Sequence, residues 1–135
     1  MASILLVDDQ LALEENLIKS LERRGHTVTT AENPQQAMEK FATPGAFDLV
    51  ITDLGIGRTE PLGGLKVARH IRDTVGDKDT PVILHSYKNQ QEEQRLRKEH
   101  KGMIDGGYFT FISKLSLPGD YDKLIGQLLT PGRQK

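Results

Sequence analysis

Residues 3–10 read Ser-Ile-Leu-Leu-Val-Asp-Asp-Gln, SILLVDDQ. The apolar run is short enough for one buried strand, and it ends abruptly on two like charges, Asp8 and Asp9. A buried carboxylate pair is costly unless a cation offsets it. The pair is therefore either a solvated turn, in which an aspartate caps the next helix, or one wall of a cation site. The remaining segments decide between these readings.

Outward from this strand, short apolar runs alternate with amphipathic segments. QLALEENLIKSLERRGH predicts a helix with Leu13, Leu17, Ile18 and Leu21 on one face, and Gly25 is placed to end it in the left-handed conformation. HTVTTA is β-branched and alternating, a second strand. In NPQQAMEKFA, Asn33 is placed as N-cap and Pro34 at the first helical position, with Ala37, Met38 and Phe41 on one face. FDLVIT is a third strand, and it too ends on an acid, Asp53. LGIGRTEPLGG is a glycine- and proline-rich loop. LKVARHIRDTV predicts a helix with a Leu65, Ala68, Ile71 and Val75 stripe. PVILHS and FTFIS are the fourth and fifth strands, ending at Ser86 and just before Lys114. DYDKLIGQLL closes with Tyr121, Leu124, Ile125 and Leu128 facing one way.

This alternation predicts an α/β fold: a doubly wound, five-stranded parallel sheet flanked by about five helices. In such sheets, sites form at the carboxyl ends of the strands, beside the point where strand order reverses. Asp8 and Asp9, Asp53, Ser86 and Lys114 all stand at those ends. That constellation favours the cation-site reading of the opening pair.

The bulk numbers limit the alternatives. The 135 residues suit one domain, expected over residues 1–129, with 130–135 a frayed tail or linker stub. Lys and Arg number 18 against 19 Asp and Glu, a net charge of −1, so nothing draws the chain in bulk to nucleic acid or to an acidic membrane. With no cysteine there is no disulfide, thiolate site or cysteine nucleophile, which fits a cytoplasmic protein. No apolar run approaches the roughly 20 residues of a membrane span, and no signal peptide is recognisable.

Three carboxylates in one cavity repel, and a hard divalent cation offsets that repulsion. Mg²⁺ takes oxygen ligands, typically one or two carboxylates with waters and a phosphate oxygen. One acid could then attack a phosphoryl group while Lys114 supplies positive charge and Ser86 a hydrogen bond. The product is an acyl phosphate on Asp, a covalent intermediate of known kind.

Acids after strands one and three, Ser after strand four and Lys after strand five, in ILLVDDQ, FDLVITDLGI, PVILHSY and FISKL, resemble the receiver domain of two-component response regulators. The resemblance covers nearly the whole chain. It implies a flavodoxin-like receiver topology and a phosphoacceptor switch in a phosphorelay. Asp53 is then the acceptor. Asp9, Asp53 and the backbone carbonyl of Gly55 bind Mg²⁺ directly, and Asp8 acts through water. Ser86 is the switch hydroxyl, Lys114 the phosphate-binding lysine and Phe111 the switch aromatic. The implied partners are a sensor histidine kinase or histidine phosphotransfer protein, and a downstream effector or an output domain outside this sequence. A homodimer through the last helix-strand-helix face is a further possibility of the family. Neither nucleic acid nor membrane is expected as a partner, nor turnover of an external substrate.

The sequence departs from that family in four places. Tyr87 replaces a small residue after the switch hydroxyl, where it borders the approach to Asp53 and could act as a gate. Leu115 replaces the proline after the lysine, so a trans Lys114–Leu115 bond is expected. Ile56-Gly57 stands in the loop after Asp53, and the run to Gly63-Gly64 is longer than usual. His85 takes an apolar strand position and reads as a hydrogen-bonded core histidine in preference to a metal ligand. The polar segment from Lys88, read as one helix through Ile104, places Leu96, His100, Met103 and Ile104 on a narrow stripe, either a solvated helix or a docking face. Two rival functions follow. One is a degenerate receiver working unphosphorylated. The other is an aspartyl-phosphate phosphatase, disfavoured because Asp8-Asp9-Gln10 lacks the Asp-x-Asp pattern.

Overall fold

The short apolar segments form strands because the chain can bury them on both sides. In the computed structural model, which describes residues 2–54, 63–86, 90–113 and 118–129, five strands make one sheet. They are β1 (Ser3–Val7), β2 (Thr27–Ala31), β3 (Leu49–Asp53), β4 (Val82–Ser86) and β5 (Thr110–Ser113), all parallel, in the order β2-β1-β3-β4-β5. Between them run α1 (Glu15–Arg23), α2 (Pro34–Lys40), α3 (Gly63–Arg69), α4 (Gln90–Glu99), α5 (Lys101–Asp105) and, after β5, α6 (Pro118–Leu129).

Alternate strand residues feed two cores. Leu5, Val7, Val50 and Leu84 pack on one face with Ala37 from α2, Phe41 just after that helix, and Leu65 and Ala68 from α3. Ile4, Leu6, Ile51 and Ile83 pack on the other with Leu17 and Leu21 from α1 and Tyr121 and Ile125 from α6. Two-sided burial is why β1, β3 and β4 read as continuous apolar runs, whereas the edge strand β2 carries three threonines.

Local signals end the elements where the residues suggest. Asn33 accepts from Gln36 N–H at 2.8 Å, capping α2, while Gln36 Oε1 accepts from Glu32 N–H at 2.8 Å. Gly25 has φ +88° and follows α1; His26 N–H then reaches back to Leu21 O at 3.2 Å, closing the helix end.

Two expectations are corrected. Leu13 does not join the buried face of α1. It lies in a 3₁₀ turn, Leu11–Glu14, that precedes the helix, and it is 63% exposed, while Glu14 is 7% exposed. A 3₁₀ turn has three residues per turn against 3.6, so it rotates the stripe away from its helical phase. Nor is the polar segment one helix through Ile104. It breaks at His100, whose φ of −113° and ψ of 26° lie outside the helical range, and α5 starts anew. The second helix brings Met103 and Ile104 onto the core, which a straight extension of the charged α4 leaves to solvent.

A polar cluster closes the opposite, amino-terminal end of the sheet. Burial pushes the Asp77 carboxyl up. Hydrogen bonds from Thr80 N–H, Gly45 N–H, Thr80 Oγ1 and Asp79 N–H outweigh this and bring it down to about 2. A carboxyl held below its unfolded value stabilises the fold above that value, and the contribution is lost as pH falls toward 2. Between about pH 5 and about pH 2, Asp77→Asn should therefore lose less stability than the wild type, by on the order of 2 kcal/mol, as measured by urea unfolding.

Candidate functional site

The strand register assembles the site. Val7 is level with Thr52, so Asp8, just past the end of β1, and Asp53, the last residue of β3, stand side by side. Asp53 is in turn level with His85, and Ser86 with Ser113, the residue before Lys114. Because β1 is flanked by β2 and β3, chain order reverses beside β1, the position at which doubly wound sheets bind ligands.

Asp8 is fully buried; its N–H donates to Ala31 O at 3.0 Å, and its Oδ1 accepts from Gln10 N–H at 2.9 Å. That local turn points the chain outward and leaves Asp9 exposed. Asp53 is half-buried, and Thr52 Oγ1 donates to its backbone carbonyl at 3.1 Å. A carboxylate oxygen from each of Asp8, Asp9 and Asp53 lies within 4.8 Å of the others. This is an all-oxygen donor set open to solvent on one side, suited to a hard cation.

Glycine is needed behind Asp53. Gly64, at the start of α3, donates its N–H to Leu54 O at 2.8 Å, and a Cβ there would sit well inside contact distance of Asp53 O and 2.7 Å from Leu84 Cδ2. The helix thus clamps the end of the strand that carries the acid.

Phe111 is buried on β5, edge-on to Phe109 at 5.2 Å between ring centres, with the Arg97 guanidinium of α4 5.1 Å from its own ring centre. The aromatic is thus packed inward, under a cation from the segment that was either a solvated helix or a docking face. Gly55, Tyr87, Lys114 and Leu115 lie outside the described residues, as do the loop residues 56–62 and the tail 130–135; of Ser86 and Leu96 only the backbone is described.

His85 is a core histidine, as its strand position suggested. It is fully buried, its Nδ1 lies 3.0 Å from the Tyr121 hydroxyl on α6, and its Nε2 lies 3.8 Å from Asp8 Oδ2. Reading the sequence missed one member of this group. Glu14 turns inward from the 3₁₀ turn, so that ligand atoms of Asp8, Glu14 and His85 also lie within 4.8 Å of one another. The only hint in the sequence was an acid five residues beyond Asp9, on what looked like a solvated helix face.

A family model described as the response regulator receiver domain matches residues 4–124. Response regulator MprA of Mycolicibacterium vanbaalenii is 34% identical over 91 residues, covering 67% of this chain and 37% of that protein. Transcriptional regulatory protein ResD of Bacillus subtilis is 33% identical over 102 residues, covering 76% of this chain and 39% of that protein. The chain thus spans less than two-fifths of the length of these curated relatives. Among solved structures, the non-phosphorylated HemR receiver domain from Leptospira biflexa matches with a TM-score of 0.73 and 27% identity, over 96% of this chain and 95% of that one. Chemotaxis response regulator CheY4 of Vibrio cholerae matches with a TM-score of 0.74 over 96% of this chain and 99% of that one; at 22% identity it speaks to the fold alone.

Proposed function

This chain belongs to the response regulator receiver domain family, and from that membership we propose that it is a phosphoacceptor switch of two-component signalling. The observation that carries the reading is the acidic rim, where oxygens of Asp8, Asp9 and Asp53 gather within 4.8 Å at the switch point of the sheet.

Receiver domains bind Mg²⁺ through acidic residues, and the donor set here suits that ion. In our reading Asp9, Asp53 and the Gly55 carbonyl hold it directly, and Asp8 acts through water. When bound, the ion supplies positive charge against the phosphoryl oxygens. Asp53 is the nucleophile: one of its carboxylate oxygens forms a bond to phosphorus as the donor's bond to phosphorus breaks, and the electron pair of that bond leaves with the donor. Lys114 and Ser86 bind the phosphoryl oxygens, and Phe111 reports the change to the face formed with α4. Tyr87 borders the approach to Asp53 as a gate. The donor is a sensor histidine kinase or a phosphotransfer protein, and the output lies in an effector or a further domain. The receiver unit is taken as residues 1–129, supported by the family match over 4–124. The chemistry is self-phosphorylation and self-dephosphorylation, without turnover of an external substrate.

Intact-mass measurement after acetyl phosphate treatment tests this reading. One phosphoryl group should add with Mg²⁺ present and none with a chelator. No adduct in either condition, together with no beryllofluoride binding, makes the chain a receiver that works unphosphorylated. Sustained hydrolysis of a generic phosphate ester makes it a phosphatase.

A further inference from the structure

We propose that a cationic cavity at the amino-terminal end of β4 and β5, opposite the acidic rim, binds a small phosphate monoester with an apolar body. The proposal goes beyond the phosphoacceptor reading and does not depend on it. It rests on a buried arginine with unused donors and on the cavity that this arginine lines.

The arginine is Arg72, in the wide turn His70–Thr74 that follows α3. Val75 N–H donates to His70 O at 2.8 Å, five residues back, where an α-helix reaches four. Such π turns shift the residues after them off the helical phase and recur at functional sites. Here Ile71 and Arg72, neighbours in sequence, both face inward, at 0% and 4% exposure. An apolar residue beside Ile71 would fill this place without cost, whereas a buried cation needs compensation.

The described residues compensate it only in part. Arg72 Nε donates to Gly107 O at 3.3 Å and Nη1 to Asp77 O at 3.0 Å, both neutral carbonyls. No described carboxylate comes within 4.0 Å of the guanidinium. The Asp77 carboxyl is turned to Thr80, Gly45 and Asp79 instead. A guanidinium has five N–H donors, of which these two bonds use two. No Arg72 nitrogen is among the described atoms sealed in the core without a partner, so its unused donors open onto the cavity it lines. Burial pushes the Arg72 pKa down, the charges of Asp77 and Asp79 oppose this, and the side chain stays cationic at neutral pH.

The cavity has a volume of about 390 Å³, within the range of small-molecule sites. Lys78 lines it too and brings a second positive charge; it is 65% exposed, and its Nζ is 2.9 Å from Arg72 O. Asp79 is the one acid in the lining. Two cations suit a phosphate monoester, which carries close to two negative charges at neutral pH, and the planar guanidinium matches phosphate oxygens in pairs. Phe109 and Phe111, edge to face at 5.2 Å between ring centres, form an apolar wall with Val82 and Ile104. Inorganic phosphate meets the cations and leaves that wall to water, whereas a neutral ring does the reverse. A monoester with a small apolar body satisfies both.

Phenyl phosphate is the probe, titrated into the full chain without Mg²⁺, so that no ion at the acidic rim attracts it. Nitrogen–proton NMR follows the Arg72 Nε–H and the backbone N–H groups of Gly107 and Thr110. The wild type should bind one equivalent saturably, shift these signals, and hold phenyl phosphate about tenfold more tightly than inorganic phosphate, as burial of a small apolar body does. Benzyl alcohol, a ring without the charge, should not saturate. Arg72→Gln should weaken binding about tenfold or more, as loss of a charge-assisted hydrogen bond does. Lys78→Gln should weaken it about threefold and Asp79→Asn tighten it about threefold, the share of exposed charges. Both of these side chains are exposed, so the pair decides should Arg72→Gln not fold. Asp53→Asn should bind as the wild type does whether or not Asp53 is the phosphoacceptor, which separates this test from that of the phosphoacceptor reading. Absence of saturable binding, or shifts confined to other residues, overturns the proposal. So does an affinity unchanged in Lys78→Gln or in Asp79→Asn, or equal affinity for inorganic phosphate; Arg72 is then only a strut between two carbonyls.

Discussion

Asp53→Asn should take up no phosphoryl group from acetyl phosphate and should lose most of the stabilisation that Mg²⁺ confers. The first loss is chemical, because the amide oxygen that replaces the carboxylate is a poor nucleophile and forms no stable acyl phosphate. The second follows from linkage. An ion that binds only the folded state adds about 2.7 kcal/mol at 100 times its dissociation constant. Removing one of three carboxylates that lie within 4.8 Å of one another takes away a large share of the attraction for that ion. Intact mass and urea unfolding, each with and without Mg²⁺, read the two losses separately. A phosphoryl adduct persisting in Asp53→Asn would move the acceptor to another carboxylate. Full Mg²⁺ stabilisation in the variant would remove Asp53 from the ion's ligands.

Gly64→Ala should cost about 3 kcal/mol of folding stability, at the upper end of overpacking changes, and should weaken Mg²⁺ binding as well. Alanine is worth up to about 1 kcal/mol over glycine inside a helix, so on propensity alone the change would stabilise α3. Packing reverses the sign. The new methyl meets Asp53 O, Leu84 Cδ2 at 2.7 Å and Leu54 Cα at 3.0 Å. Two of these three are backbone atoms, which cannot rotate aside as a flexible side chain would. Either α3 lifts off the sheet or the end of β3 shifts, and the end of β3 carries Asp53. Urea unfolding measures the first effect and Mg²⁺ titration the second. Unchanged stability would mean that the helix yields easily. Lower stability with Mg²⁺ affinity intact would mean that α3 moves while Asp53 does not.

Much of this molecule was legible in its residues. Runs such as ILLV and LVIT announce strands buried on both faces, and the stripes of Ala37 with Phe41 and of Tyr121 with Ile125 announce the helices that cover them. Asn33 and Pro34 mark the start of α2, and Gly25 the end of α1, because caps and left-handed turns are local requirements that few residue types meet. Asp8, Asp9 and Asp53 were legible as strand-end acids for the same reason: the pair Asp8-Asp9 closes the run ILLV, and Asp53 closes LVIT. These are properties of neighbours along the chain, and period and residue type express them.

The tertiary structure decided what depends on residues far apart in sequence. No local pattern says that β1 lies between β2 and β3, yet that order sets Asp8 beside Asp53 and makes a cluster out of separate acids. No stripe shows Glu14 turning inward and Leu13 outward; the 3₁₀ turn that reverses them reflects how the chain leaves β1 and meets the site. His85 was legible as a core histidine, but Tyr121 as its partner, from 36 residues further along, required the packing of α6 on the sheet. The break at His100 likewise serves the core, bringing Met103 and Ile104 under a segment too polar to pack by itself. Periodicity reports which face of an element is apolar, whereas strand order, helical phase and the pairing of buried polar groups are settled together when every element seeks burial at once.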